Sequence, residues 1–115
     1  MTTISRAEVC IVACAEAFRG DGEILASGIG LIPSLGVRLA RLTFEPDLLA
    51  TDGVATLIRG EGDQQRVEGW MPYRKIFDTL WWGRRHVMMG ASQLDQFGNQ
   101  NIACVGPWKQ PKVQL

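Results

Sequence analysis

Glu23-Ile24-Leu25-Ala26-Ser27-Gly28-Ile29-Gly30-Leu31-Ile32-Pro33 is the stretch on which the fold turns. Residues 23–27 form a short apolar run bounded by glycines, the pattern of a buried strand. Gly28-Ile29-Gly30 reverses the chain, and Pro33 suits the first turn of a helix, where its missing N–H costs nothing. That helix is expected over about 33–43, with Leu35, Leu39 and Leu42 along one side. Pro46 ends the unit, and residues 47–51 predict a second buried strand. Strand, turn, helix, strand is a βαβ unit, which implies an α/β domain with an open, mainly parallel sheet and flanking helices.

Upstream, Ser5-Arg6-Ala7-Glu8 has the spacing of a capping box. Ala7, Cys10, Ile11, Cys14 and Phe18 then recur at helical intervals until Gly20-Asp21-Gly22 stops them. Downstream, 54–58 is a second apolar patch, and the glycine-rich, charged 59–65 reads as an exposed excursion. Pro72 opens a third expected helix with Tyr73, Ile76, Phe77, Leu80 and Trp81 on one side and Gly83 as its stop. Two extended runs, 86–95 and 100–105, are joined by Gln96-Phe97-Gly98-Asn99, which is hairpin chemistry. The last nine residues, 107–115, are expected to pair with nothing, so the chain reads as the N-terminal part of a single domain spanning 1–115.

The 115 residues are 46% hydrophobic and 21% charged, an ordinary globular composition of one domain's length. Twelve basic residues balance twelve acidic ones, which argues against a nucleic-acid or anionic-membrane footprint. No apolar run approaches the roughly 20 residues of a membrane helix. The opening residues lack the layout of a secretory signal, so a cytoplasmic location is the expectation. The three cysteines, Cys10, Cys14 and Cys104, suggest small buried thiols, not a disulfide framework or a zinc set. His86 is the single histidine and reads as a satisfied structural imidazole, with no metal expected. The four tryptophans read as core and interface mass.

Three segments can carry chemistry. Gly28 and Gly30 sit where a strand's carboxyl end meets a helix N-terminus, a place suited to an anion or a polarised carbonyl oxygen. As a dinucleotide fingerprint the segment is poor, because Pro33 replaces the third glycine. A plain tight turn explains it equally well. Thr51-Asp52-Gly53 ends the second strand, at the edge where α/β sheets bind ligands, although Asp before Gly is also ordinary turn chemistry. Gln93, Asp95, Asn99 and Asn101 crowd polar groups between apolar strands, and such amides equally well serve a hairpin's own backbone.

Gly28-Ile29-Gly30-Leu31-Ile32-Pro33, Leu39–Thr43 with Pro46-Asp47, Thr51-Asp52-Gly53, and Gly90–Asp95 with Phe97–Asn101 together resemble the β subunit of class I coenzyme A transferases. The resemblance spans nearly the whole chain but only about the first half of such a subunit. It implies a paired α subunit in a heterodimer or heterotetramer and a coenzyme A thioester as substrate, with no covalently bound cofactor. It also implies substrate contacts at Gly28, Gly30, Thr51, Asp52, Gly53, Gln93, Asn99 and Asn101. Transferases of the family carry a nucleophilic glutamate at the position of Thr51, and a hydroxyl there cannot form their acyl anhydride and glutamyl thioester. Asp52 is one residue off and, in a strand, points to the opposite face.

Thr51-Asp52-Gly53, with Trp70-Met71-Pro72, Trp82–His86 and Gly98–Asn101, resembles the steroid ring-opening hydrolase branch. In that branch the key glutamate lies on the α subunit, and the isolated chain is expected to be inactive. The alternatives are a true transferase subunit using Asp52, a non-catalytic partner subunit and, more remotely, a dinucleotide-binding enzyme.

Overall fold

The computed structural model describes residues 3–51, 56–72, 74–75, 78 and 82–115. Helix α1, Arg6–Glu16, begins at the expected capping box: the Ser5 hydroxyl accepts from the Glu8 amide at 3.2 Å, and the Glu8 carboxylate accepts from the Ser5 amide at 2.7 Å. Strand β1, Leu25–Ile29, leads through Gly30 into helix α2, Leu31–Thr43, which returns the chain to strand β2, Leu49–Thr51. Strands β3, Thr56–Arg59, and β4, Arg66–Trp70, follow as a meander, and β5, Arg85–Met89, re-enters beside β1.

The sheet order is β4-β3-β2-β1-β5. β1 runs parallel to both β2 and β5, pairing Ala26 with Ala50 and with His86. β2–β3 and β3–β4 are antiparallel. The α/β expectation therefore holds in a mixed sheet whose three parallel strands form one side. β4 was hidden in the sequence because Arg66, Val67 and Glu68 are all exposed and give no apolar alternation.

Period-two alternation divides the sheet's faces. Ile24, Ala26, Leu48, Ala50 and Met88 share one face and pack with Val37 and Ala40 of α2 and with Ala15 and Phe18 from the α1 end. The buried stripe of α2 is Gly36, Val37, Ala40 and Arg41; of the expected Leu35–Leu39–Leu42 side, Leu39 packs half-buried against the core and Leu42 is exposed. Small residues take the inside because α2 lies close to both β1 and α1. A Cβ on Gly36 would sit 2.5 Å from the Cys14 Cβ.

His86 is engaged as expected: its Nδ1 meets the Asp21 carboxylate at 2.5 Å, and its ring lies 4.5 Å from that of Phe18. The thiols differ from expectation, since Cys10, Cys14 and Cys104 are only half-buried. The described tryptophans depart from the core half of their expectation. Trp70, Trp82 and Trp108 are exposed, so the described indoles add nothing to this core. The 59–65 excursion is not simply exposed either, because Glu61 turns inward against α2 and a short helical turn, Gly62–Gln64, leads into β4. Of the third expected helix, Arg74, Lys75, Asp78 and Trp82 are helical, and Tyr73, Ile76, Phe77, Leu80 and Trp81 lie outside the described residues.

Beyond β5 the expected hairpin is present as β6, Gln93–Leu94, against β7, Gln100–Asn101. The first of its two expected runs is divided, because residues 85–89 belong to the main sheet. The expectation that 107–115 pairs with nothing is corrected: β9, Val113–Gln114, is antiparallel to β8, Cys104–Val105, and Gly106 at φ +101° makes the bend that folds it back. The exposed, polar sequence between them concealed the pairing.

Two outcomes are expected. Gly36→Ala forces α1 and α2 apart and lowers stability by about 1–3 kcal/mol, read from the urea midpoint. Gly69→Ala, whose Cβ would find only the Leu57 side chain at 3.8 Å, stays within about 0.5 kcal/mol. In the hairpin turn, the Asp95 carboxylate accepts from the Asn99 side chain and amide and from the Phe97 amide. The Asn99 side-chain bond, followed by its amide, holds the Asp95 pKa below its ordinary 3.8. A depressed carboxylate stabilises in its ionised form, so the turn is fully held above pH 3.8 and loosens only as pH falls through the lowered value. Protection factors of the Phe97 and Asn99 amides, corrected for the intrinsic pH dependence of exchange, should hold constant down to that point.

Candidate active site

The sequence places its candidate residues in three segments, and the fold brings two of them together. β1 and β2 are adjacent and parallel, so Gly28 and Thr51 reach the same carboxyl edge of the sheet. Both line a cleft of about 290 Å³ between α2 and the face of β1, β2 and β3. Its floor is Ala26, Ala50 and Ile58, small or apolar groups that leave room above the sheet; Val37 and Ser34 form the wall under α2. Asp52 and Gly53 lie outside the described residues.

The two glycines have different jobs. A Cβ on Gly28 would lie 2.6 Å from the Pro33 carbonyl and 2.7 Å from the Ser34 amide nitrogen, so the first turn of α2 rests directly on β1. Pro33, which spoils the dinucleotide fingerprint, is the residue seated there. Gly30 is the N-cap of α2 at φ +101°, a conformation that side chains disfavour, and it offers no capping side chain. Its carbonyl accepts from Ser34 at 3.0 Å. Pro33 has no N–H and no acid occupies the first turn, so the Leu31 and Ile32 amides carry the helix's positive end. Leu31 is exposed, which opens this end to a ligand.

The third segment stands apart. Gln93, Asn99 and Asn101 belong to the β6–β7 hairpin and are used there: the Asn101 amide donates to Gln93 Oε1 and to the Cys104 carbonyl, both at 2.7 Å, while its oxygen accepts from Ala103. Asn99 serves Asp95. The amides support the local backbone, as hairpin chemistry alone would have them do.

At the other end of the cleft lies a group that sequence reading missed. Arg41 is buried, its side chain only 3% exposed. Nη1 meets Glu61 Oε1 at 2.8 Å; Nη2 donates to the Ile58 carbonyl at 3.2 Å and to that of Gly60. Arg38 shares Glu61 at 3.2 Å from the exposed side. Burial pushes the Arg41 pKa down, and the Glu61 carboxylate opposes that shift. An arginine at helical spacing from Val37 was the available signal, since a charge on a buried stripe must be paired.

No protein-family model matches the chain. The cholesterol ring-cleaving hydrolase IpdB subunit of Mycobacterium tuberculosis is 54% identical over 117 aligned positions, covering 96% of this chain and 47% of that one. A 3-oxoadipate CoA-transferase subunit of Pseudomonas knackmussii is 35% identical over 127 positions, covering all of this chain and 48% of its own. The crystal structure of Rhodococcus jostii RHA1 IpdAB superposes with a TM-score of 0.85 at 52% identity, over 99% of this chain and 47% of that one. The chain spans about half the length of the curated relatives it matches. With the β1–α2–β2 unit and its carboxyl-edge turn, this likeness along nearly every residue means that the chain belongs to the class I coenzyme A transferase family, among its β subunits.

Proposed function

We propose that the chain serves as the β subunit of a heteromeric enzyme that opens a ring in a steroid-derived coenzyme A thioester by hydrolysis. The observation that carries this reading is the 54% identity to a cholesterol ring-cleaving hydrolase subunit. Thr51 at the end of β2 agrees with it. A hydroxyl there cannot take up an acyl group and pass it on as a mixed anhydride, whereas hydrolysis requires no such carrier.

The chemistry asked of the enzyme is cleavage of a carbon–carbon bond β to a thioester. Water adds to the ring ketone, the bond to the α carbon breaks, and its electron pair passes into the thioester as an enolate. That enolate then takes a proton, leaving a free carboxylate and an open chain. The general base belongs to the partner subunit, as the family resemblance implies. This chain supplies surroundings for the reaction. The Leu31 and Ile32 amides at the positive end of α2 suit an oxygen on which negative charge develops. The Ala26–Ala50–Ile58 floor suits an apolar acyl body. Thr51 orients groups between these two.

A second reading, CoA transfer between carboxylic acids, draws on the 35% likeness to a CoA-transferase subunit and would use Asp52. The assembled enzyme separates the two. Given a cyclohexanone-carboxyl-CoA thioester in water labelled with heavy oxygen, the hydrolase releases an open-chain product carrying label in its new carboxylate, and mass spectrometry finds no protein-bound adduct. Asp52→Asn leaves that label incorporation intact. A CoA-linked aspartate, with transfer to an added carboxylic acid, would establish the transferase instead.

A further inference from the structure

The cleft's two ends are joined by a short chain of bonds. Arg41 Nη2 donates to the carbonyl of Ile58. Ile58 pairs with Ala50 across the β2–β3 ladder, and the next pair is Leu57 with Thr51. On its other side β3 slips register with β4 between Leu57 and Ile58, so the outer ladder is irregular where the guanidinium takes hold. Gly60, whose carbonyl is the second acceptor, sits at φ +74°; a Cβ there would lie 2.4 Å from the Gln64 carbonyl oxygen. A buried cation, a left-handed glycine and a displaced ladder thus converge on one strand.

Stability alone would not call for this arrangement. A buried ion pair is commonly replaceable by apolar groups of similar size without loss. Arg41 also leaves Nε with no hydrogen-bond partner among the described residues, a cost that a purely apolar contact would avoid. What the fork provides is direction, because a planar guanidinium with donors on one carboxylate and two carbonyls fixes the strand along two axes.

We infer that Arg41, paired with Glu61, is a positioning residue: it sets β3, and through the Ile58–Ala50 and Leu57–Thr51 pairs it holds Thr51 at the carboxyl edge of the sheet. The inference rests on the reading that Thr51 borders the reacting thioester, and it assigns Arg41 no contact with substrate.

The test uses the complete enzyme, full-length β chain with its partner subunit, and a pair of substitutions. Arg41→Met alone leaves the mostly buried Glu61 with only the exposed Arg38 as its partner and lowers the thermal midpoint. Arg41→Met with Glu61→Gln removes both charges and returns the midpoint to that of the parent. In that double variant, kcat on the cyclohexanone-carboxyl-CoA thioester is expected to fall about 10- to 100-fold while KM stays within about threefold, the mark of misplacement without lost binding. Arg41→Lys, which keeps the charge and loses the planar fork, falls between. Amide exchange at Thr51, Leu57 and Ile58 quickens in the double variant while α1 is unchanged. A double variant with the parent's midpoint, kcat within about twofold and unaltered exchange at those amides overturns the assignment. Should the parent enzyme fail to open the ring, the functional reading falls. The exchange comparison then decides the clamp by itself: faster exchange upholds Arg41's hold on β3 and Thr51, and unchanged exchange overturns it.

Discussion

The contact between Gly28 and the first turn of α2 is the constraint from which the remaining geometry follows. With no side chain on Gly28, the Pro33 and Ser34 backbone comes down onto β1 at a distance that any Cβ would block. That approach aims the amide end of α2 along the carboxyl edge of the sheet. It also brings the small residues Gly36, Val37 and Ala40 onto the face carrying Ala26 and Ala50. α1 can then nest against α2 at Gly36, and Phe18 closes the core beside His86. A larger residue at either glycine would tilt the helix and move the cleft with it. The site is therefore a product of packing before it is a product of chemistry.

The parts of this fold that were legible in the sequence are those where local chemistry and burial agree. Ser5 and Glu8 announce α1 because both halves of a capping box are local. The Gly28–Gly30 turn is legible because glycine's freedom is needed there and little else fits. β4, the β8–β9 pair and the inward turn of Glu61 were not legible. Each is made by partners distant in sequence: Glu61 is drawn inward by Arg41, twenty residues earlier, and β9 by Cys104 and Val105. Exposed charged residues such as Arg66 and Glu68 carry no periodic signal of a strand paired on one edge. For Trp70, Trp82 and Trp108 the core half of the expectation fails for the opposite reason, since bulk and apolarity say nothing of which surface a ring will meet.

The candidate site divides in the same way. Gly28 and Thr51 were named from their places at strand ends, and parallel pairing of β1 with β2 puts them on one cleft. The amide-bearing hairpin was the most distinctive motif in the family resemblance, yet its side chains are spent on each other and on Cys104. A motif can be distinctive because the backbone requires it. Arg41 shows the converse: it lies inside the Leu39–Thr43 string without being singled out there, and only its place on a buried stripe distinguishes it from Arg38, one turn away and largely exposed.

On the proposed function, Thr51 ties the fold to the chemistry. In a transferase, the strand end must deliver a carboxylate nucleophile whose attack forms a covalent intermediate, so its place relative to the thioester carbon is governed by bond formation. Replace the acid with a hydroxyl and the same strand end no longer reacts; it can only shape, orient and exclude. Tolerance in its position does not thereby grow. An active site assembled from two subunits needs each wall at a fixed depth, since reacting groups misplaced by about 1 Å lose roughly a hundredfold in rate. On the proposed function, a chain with threonine at that strand end keeps the demand for precise placement without a covalent step to enforce it. The guanidinium fork grips β3 at Ile58, whose pair with Ala50 is next to the Leu57–Thr51 pair, and on the positioning role inferred for Arg41 it is the means by which that placement is met.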